Sequence, residues 1–180
     1  MIDIGIIGTG YVGLVQGVIF AEFGMNVICM DVVPEKIALL KQGIIPIYEP
    51  GLKELLDKNV EAGRLQFTSD MKETVEHSKV IFIAVGTPEN EDGSCDLSHV
   101  EAVARSIGEY INEYKIIVNK STVPVGTAKK VKQIVQTELE RRGVHIEFDV
   151  VSNPEFLREG KAVRDCLMPD RVIIGAESEK

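Results

Sequence analysis

A glycine-rich turn directly after the first apolar run limits what this chain can fold into. The run at residues 2–7 leads into Gly8, Gly10 and Gly13, and an apolar stripe at helical spacing follows until Gly24. Glycines spaced G-x-G-x-x-G between a strand and a helix are typical of the first turn of a βαβ unit. The first permits a tight turn, and the third allows the helix to pack closely on the strand.

Short apolar runs and helical patterns alternate along the rest of the chain. Further apolar runs lie at residues 26–30, 80–85, 116–118, 148–151 and 172–174. They are continuously apolar, which is typical of parallel strands covered on both faces. The alternation predicts an α/β fold with a doubly wound, mostly parallel sheet of the Rossmann type.

Two helices carry recognisable start and stop signals. Ser98 with Glu101 matches a capping box, and Thr127 is a candidate N-cap of a helix that Gly143 would end. Residues 43–63 are too long for a tight connection and predict one extra helical insertion from about residue 51 to residue 62. No linker divides the chain, so we expect a single domain over residues 1–180.

Composition excludes several classes of partner. The formal net charge of −8 disfavours nucleic acid and anionic lipid, and no apolar run approaches the ~20 residues of a membrane span. No basic segment precedes the first apolar run, which argues against a signal peptide. The three cysteines are too far apart for a disulfide framework or a zinc site. We therefore expect a cytoplasmic protein with no metal site.

The glycine turn also predicts a dinucleotide. Gly10 lets the backbone approach a pyrophosphate, which the N-terminus of the following helix attracts. Asp31 lies 18 residues after Gly13, where a carboxylate accepts hydrogen bonds from ribose hydroxyls and repels a 2′-phosphate, so NAD is favoured over NADP. Lys36 is close enough to add a polar contact. Alternatively, Asp31 only caps a strand and Lys36 is only solvated.

Polar turns follow two more predicted strands. Gly86 and Thr87 come after the run at 80–85, and Thr122 lies in KSTVPVGT at residues 120–127. Ligands of open parallel sheets lie outside the carboxyl ends of the strands. Each threonine is either a turn residue only or a contact to the nicotinamide ribose, and we favour the contact.

These motifs together resemble one family, the UDP-glucose/GDP-mannose dehydrogenases, and within it the members that oxidise UDP-glucose. The resemblance rests on GIIGTGYVGLV at 5–15, Asp31 with Lys36, YEPGL at 48–52, VGTP at 85–88, DGSCDLS at 92–98, KSTVPVGT at 120–127 and NPEFLREG at 153–160. It implies an NAD site formed by Gly8, Gly10, Tyr11, Val12, Gly13, Asp31, Lys36, Gly86, Thr87, Thr122 and Glu159.

The segment NPEFLREG would line the nucleotide-sugar site. The resemblance implies substrate contacts from Glu155, Phe156, Leu157, Arg158 and Glu159, with Thr122, Glu155 and Glu159 as catalytic residues and Glu159 as a base or water-orienting group. The segment follows a predicted strand, so it lies at the carboxyl edge of the sheet. A turn at Pro154 would start a helix on which Glu155 and Glu159 share one face. On an anonymous helix these carboxylates would merely be solvated.

The family reaction oxidises an alcohol carbon of a UDP-sugar to a carboxylate in two NAD-dependent steps through a cysteine-bound intermediate. The family's cysteine motif is absent, and Cys29, Cys95 and Cys166 are poor substitutes. We therefore expect an inactive cofactor half of an enzyme that forms homodimers through a missing region. The alternatives are a dehydrogenase of UDP-N-acetylmannosamine, GDP-mannose or a hydroxyacid, and a stand-alone NAD-sensing module.

Overall fold

Strands and helices alternate along residues 2–178, which are the residues that the computed structural model describes. The elements are, in chain order, β1 (Asp3–Ile7), α1 (Tyr11–Glu22), β2 (Asn26–Met30), α2 (Pro34–Lys41), α3 (Leu52–Glu61), β3 (Leu65–Thr68), α4 (Met71–His77), β4 (Val80–Ile83), α5 (Ser98–Tyr110), β5 (Lys115–Asn119), α6 (Thr127–Arg142), β6 (Phe148–Ser152), α7 (Ala162–Leu167) and β7 (Gly175–Ala176).

All seven strands form one sheet in the order β3-β2-β1-β4-β5-β6-β7. The first six pair in parallel, and only β7 runs antiparallel, against the end of β6. The chain order reverses between β1 and β4, which makes the crevice at their carboxyl ends the expected ligand site of such a sheet. The predicted fold class is confirmed.

Helices cover both faces of the sheet. One apolar core includes Val15 and Val18 of α1 and Leu56 of α3, packed against the β1–β2–β3 half of the sheet. The other joins α4, α5 and α6 to strands β4 and β5 and includes Ile107 and Val135. Burial on both faces explains why the strands read as continuous apolar runs rather than as alternating ones.

The predicted strand at residues 172–174 is wrong. These residues have no strand pairing, and Val172 and Ile174 are 63% and 67% exposed. The pairing with β6 begins one residue later, at Gly175. An apolar run marks a strand only where another strand accepts its backbone hydrogen bonds, and here the run borders an open groove instead.

The extra helix in the predicted insertion is confirmed as α3, but two predicted N-caps are wrong. Ser98 is the first residue of α5, and its backbone N–H donates to Asp96 Oδ1 at 2.8 Å, while Glu101 pairs with Lys130 Nζ at 2.5 Å. Thr127 is likewise the first residue of α6, which follows Gly126. Asp96, two residues before Ser98, therefore accepts the hydrogen bond from the first N–H group of α5. Gly143 ends α6 with φ 67°, as predicted.

Among residues 2–178, no helix combines the length and apolar character that crossing a bilayer requires. Within the same residues, no three His, Cys, Asp or Glu side chains lie close enough together to hold a metal ion.

Candidate functional site

The three glycines of the first turn have different surroundings. A Cβ on Gly8 would lie 2.6 Å from the carbonyl oxygen of Ala84, and one on Gly13 would lie 1.9 Å from that of Gly8. A Cβ on Gly10 would meet no atom within 4 Å. Gly8 and Gly13 are therefore required by packing, whereas Gly10 borders open space at the uncapped start of α1. The backbone of Tyr11, Val12 and Gly13 forms the first turn of this helix.

Asp31 anchors the glycine turn from the end of β2. Its Oδ2 accepts hydrogen bonds from Thr9 N at 2.9 Å, Thr9 Oγ1 at 2.8 Å and Lys36 Nζ at 3.0 Å, and its Oδ1 accepts one from Val33 N at 3.2 Å. Burial opposes the ionisation of Asp31, but these donors hold its pKa below the usual range. The side chain is therefore a fixed carboxylate beside the turn, and Lys36 contacts it directly.

The turns after β4 and β5 lie against each other. Thr87 Oγ1 donates to the carbonyl oxygen of Thr122 at 2.8 Å, and Ser121 Oγ donates to the carbonyl oxygen of Val85 at 2.7 Å. The carbonyl oxygen of Gly86 lies 3.2 Å from His99 Nδ1. The structure thus brings Gly86, Thr87 and Thr122 together at the carboxyl edge.

The predicted helix that would carry Glu155 and Glu159 on one face is wrong. Residues 153–158 have no regular secondary structure, residues 159–161 form a turn, and α7 starts only at Ala162. Glu155 Oε2 accepts a hydrogen bond from Leu157 N at 2.6 Å, a local contact that competes with helical pairing. Glu155 is half-buried, and Glu159 is exposed.

Two other predicted substrate residues lie in the same segment. Phe156 is 52% exposed, and Arg158 donates to Asp165 through Nε at 2.9 Å and through a terminal nitrogen at 2.6 Å. This bidentate pair fixes the guanidinium beside α7. Leu157 packs against the core cluster that contains α1.

Glu49 is a site residue that sequence reasoning did not identify, although it lies in the YEPGL motif. It is 6% exposed and accepts hydrogen bonds from the hydroxyl of Tyr11, from Gly160 N at 2.8 Å and from Val163 N at 3.4 Å. Burial opposes its ionisation, but these donors hold the pKa of Glu49 below the usual range. Burial and the adjacent carboxylate raise the pKa of Tyr11 to about 12.

A cavity of about 680 Å³ runs between α1 and the C-terminal segment. Its wall includes Gln16, Phe20, Phe82, Lys120, and residues within 153–158 and 165–172. The ammonium of Lys120 is buried in this wall and donates to Asn153 Oδ1 at 3.1 Å. Burial lowers the pKa of Lys120, while the nearby Cys166 and Glu155 favour its charged form.

The environments of Cys29 and Cys166 favour the protonated thiol over the thiolate. Burial raises the pKa of Cys29 to about 12 and that of Cys166 to about 11. A thiol is a nucleophile only after deprotonation, so neither residue is activated. All three cysteines are free.

Comparison with known proteins agrees with this geometry. A model of the UDP-glucose/GDP-mannose dehydrogenase family, NAD binding domain, matches residues 2–180. The chain is 54% identical over 180 residues to UDP-glucose 6-dehydrogenase TuaD of Bacillus subtilis, covering all of this chain and 38% of that protein. It therefore spans about two fifths of the length of this relative.

Solved structures show the same relationship. A UDP-glucose dehydrogenase from Pyrobaculum islandicum superposes with a TM-score of 0.92 at 43% identity, covering 99% of this chain and 41% of that one. A GDP-mannose dehydrogenase from Pseudomonas aeruginosa superposes with a TM-score of 0.89 at 41% identity, covering 96% of this chain and 40% of that one. The chain belongs to the UDP-glucose/GDP-mannose dehydrogenase family, as an NAD-binding domain of that family.

Proposed function

We propose that this chain is the NAD-binding part of a nucleotide-sugar dehydrogenase that oxidises UDP-glucose to UDP-glucuronate in two NAD-dependent steps. The observation that carries the proposal is the open space at Gly10, next to Thr9, whose backbone N–H and hydroxyl both donate to the Asp31 carboxylate. Residues 155–159 come after β6, which ends at the same carboxyl edge of the sheet. Relatives named UDP-glucose 6-dehydrogenase at 54% and 52% identity support the choice of substrate.

The glycine turn fits the diphosphate of NAD, because a Cβ at position 10 would enter open space at the start of α1, where no atom lies within 4 Å of it. When bound, NAD supplies an acceptor for the hydride of the substrate's alcohol carbon. The residues that would hold it are Gly8, Gly10, Tyr11, Val12 and Gly13 for the diphosphate, Asp31 and Lys36 for the adenosine ribose, and Gly86, Thr87, Thr122 and Glu159 for the nicotinamide end.

Asp31 would select NAD over NADP. Its Oδ1 accepts one hydrogen bond, from Val33 N, so this oxygen retains capacity for a ribose hydroxyl. A carboxylate held in its charged form would also repel a 2′-phosphate. Lys36 would reduce this repulsion only in part, because its ammonium is already paired with Asp31.

Glu155, Phe156, Leu157, Arg158 and Glu159 would bind the UDP-sugar. Glu159 is exposed at the edge of the sheet, where a carboxylate can accept a proton or orient a water molecule. Thr122 and Glu155 would complete the catalytic group. The exposed hydroxyl of Thr122 would donate to the sugar oxygen, and the half-buried carboxylate of Glu155 would orient the segment.

The covalent step would depend on a cysteine outside this chain. Because this chain spans 38% of TuaD, we propose that the remaining part of a longer protein supplies the nucleophile, the second sugar-binding domain and the homodimer contact. Residues 1–180 alone would bind NAD without oxidising UDP-glucose. We keep the cytoplasm as the proposed location, supported by three free thiols.

Calorimetry with NAD, NADH and NADP tests the cofactor site. We expect NAD and NADH to bind, NADP to bind at least about tenfold more weakly, and Asp31→Ala to reduce that preference. No heat with NAD or NADH at millimolar concentration would contradict the proposal.

The sugar is tested on the longer protein that contains this chain. Rates of NADH formation with UDP-glucose, UDP-N-acetylmannosamine and GDP-mannose would be compared, and we expect UDP-glucose to give the highest kcat/KM. A higher kcat/KM with GDP-mannose would instead favour the activity named for the Pseudomonas aeruginosa structure.

A further inference from the structure

One buried carboxylate joins three separate parts of the chain. Glu49 lies between α2 and α3, and it contacts Tyr11 at the start of α1, Gly160 in the turn before α7 and Val163 within α7. The Tyr11 hydroxyl also lies 3.4 Å from the carbonyl oxygen of Arg158. We call Glu49 with Tyr11, Gly160 and Val163 the Glu49 network.

In residues 160–163, Glu49 bonds to backbone N–H groups and not to side chains. The carboxylate oxygens of Glu49 accept hydrogen bonds from the N–H groups of Gly160 and Val163, so they fix the path of the chain within the turn at residues 159–161 and at the start of α7. Gly160 adopts φ 80°, which only glycine adopts without strain, and Glu159 immediately precedes it. A shift of this turn therefore moves the Glu159 backbone directly.

We propose that Glu49 is a positioning residue, which fixes Glu159 relative to the glycine turn by bonding the backbone of residues 160–163 and the hydroxyl of Tyr11 at the same time. The inference rests on the proposed function, because it assigns Glu159 to the nicotinamide end of NAD. Glu49 itself is buried among these partners and acts through them.

An amide cannot replace this carboxylate. Tyr11 and Gly160 both bond to Oε2 and Val163 bonds to Oε1, so the two oxygens face only donors. In Glu49→Gln one oxygen becomes an NH₂ group that faces an N–H or O–H donor, and at least one bond is lost. Tyr11→Phe removes a single hydroxyl and keeps the ring, so it tests the network with a smaller disturbance.

Glu22 offers a matched control. It is a carboxylate that joins α1 to α3, because it accepts hydrogen bonds from Lys58 Nζ at 2.6 Å and Asn59 Nδ2 at 2.9 Å. It lies in the last turn of α1, and the glycine turn precedes the other end of this helix. Glu22→Gln therefore disturbs a similar set of bonds without touching the Glu49 network.

The first measurement is amide hydrogen exchange in the free chain of residues 1–180. We expect exchange at residues 158–163 to be about tenfold faster in Glu49→Gln, and faster to a smaller extent in Tyr11→Phe, with wild-type rates in Glu22→Gln. Wild-type rates in both network variants would overturn the inference.

The second measurement compares NADH with ADP-ribose, which lacks the nicotinamide. If Glu49 positions Glu159, Glu49→Gln and Tyr11→Phe weaken NADH binding about fivefold and weaken ADP-ribose binding less. If the carboxylate only supports the fold, both ligands lose affinity equally, and the inference is overturned. Glu22→Gln should leave both affinities unchanged.

These outcomes separate the inference from the proposed function. Failure of the wild-type chain to bind NADH would contradict the proposed function, and hydrogen exchange would still decide whether Glu49 fixes residues 158–163. Normal NADH binding by wild type and by both network variants would contradict only the role of Glu49.

Discussion

The hydroxyl of Thr87 donates a hydrogen bond to the carbonyl oxygen of Thr122, 2.8 Å away, and so ties together the turns that follow β4 and β5. Thr87→Val keeps the shape of the side chain and removes the donor. Because a net hydrogen bond contributes about 0.5–1.5 kcal/mol, we expect the free energy of unfolding to fall by no more than this amount. Since the two turns are no longer tied together, we also expect NADH affinity to fall by about 2- to 10-fold. Calorimetry and urea denaturation measure the two quantities.

Thr137→Val is the control for this prediction. Thr137 Oγ1 donates to the carbonyl oxygen of Gln133 at 2.9 Å, within α6 and on its exposed side. This variant should keep wild-type NADH affinity. Equal NADH affinities in Thr87→Val and the wild type would contradict the predicted role of the two turns.

Two glycines of the first turn should respond differently to the same substitution. The Cβ of Gly13→Ala would lie 1.9 Å from the backbone oxygen of Gly8, so we expect a loss of about 1–3 kcal/mol or more in the free energy of unfolding. The Cβ of Gly10→Ala meets no atom within 4 Å, and the backbone at φ −68° suits alanine.

Gly10→Ala should therefore keep its stability within about 0.5 kcal/mol but bind NAD at least about tenfold more weakly, because the methyl group occupies the space of the diphosphate. Chemical denaturation and calorimetry on both variants provide the check. Unchanged NAD affinity in a folded Gly10→Ala protein would mean that the open space is not the diphosphate site.

The lowered pKa values of Asp31 and Glu49 predict how the free energy of unfolding changes with pH. Burial opposes the ionisation of Asp31 and Glu49, but their hydrogen-bond donors hold the pKa of each below the usual range. Their stabilisation is complete above the unfolded-state pKa values of about 4 and is lost as pH falls through the lower folded-state values. The free energy of unfolding should therefore decrease as pH falls below about 5.

The variant Asp31→Asn isolates one of these contributions. Its free energy of unfolding should be lower than that of the wild type at pH 7 and should fall less steeply in acid, so that the two curves converge. Urea denaturation between pH 7 and pH 3 measures both curves. A constant difference over this whole range would contradict the assignment to the Asp31 carboxylate.

Replacement by methionine should change the free energy of unfolding by different amounts at the two buried lysines, Lys115 and Lys120. Burial lowers the pKa of both Lys115 and Lys120. Lys115 Nζ donates to the carbonyl oxygens of Ser78 at 2.8 Å and Glu76 at 3.1 Å, so Lys115→Met should destabilise by about 1–3 kcal/mol.

Lys120 Nζ donates a hydrogen bond to Asn153 Oδ1 at 3.1 Å and lies in a cavity wall that also contains Phe20 and Phe82. Lys120→Met removes a buried charge and should change the free energy of unfolding by less than about 1 kcal/mol, or raise it. Denaturation of both variants at pH 7 tests the contrast. An equally large loss in Lys120→Met would show that its ammonium is as well satisfied as that of Lys115.

Continuous apolar runs made most of the parallel sheet predictable. The run at residues 26–30 coincides with β2, because burial on both faces leaves few polar positions in such a strand. The four-residue strand β3 was missed, since Gln66 is exposed and its apolar residues form no continuous run. The short helices α4 and α7 were missed because seven and six residues hold too few turns for a visible stripe.

The site was predictable where its residues follow strands, and less so where they depend on distant contacts. The positions of Asp31, Thr87 and Thr122 at the carboxyl edge of the sheet were predictable because each of these residues follows a strand; their role in binding stays a prediction. The helix predicted at Glu155 was wrong because spacing alone does not reveal a side-chain bond to Leu157 N. Glu49 was missed because its partners Tyr11 and Gly160 are 38 and 111 residues away.

This separation has a consequence during protein synthesis. Ribosomes release the chain from its N-terminus, so β1, the glycine turn and β2 can pair long before residue 160 leaves the exit tunnel. The carboxylate at position 49 then lacks its amide donors until residues 160–163 have been synthesised and have left the tunnel. A nascent chain arrested before that point would carry a nearly complete sheet and an unfinished pocket.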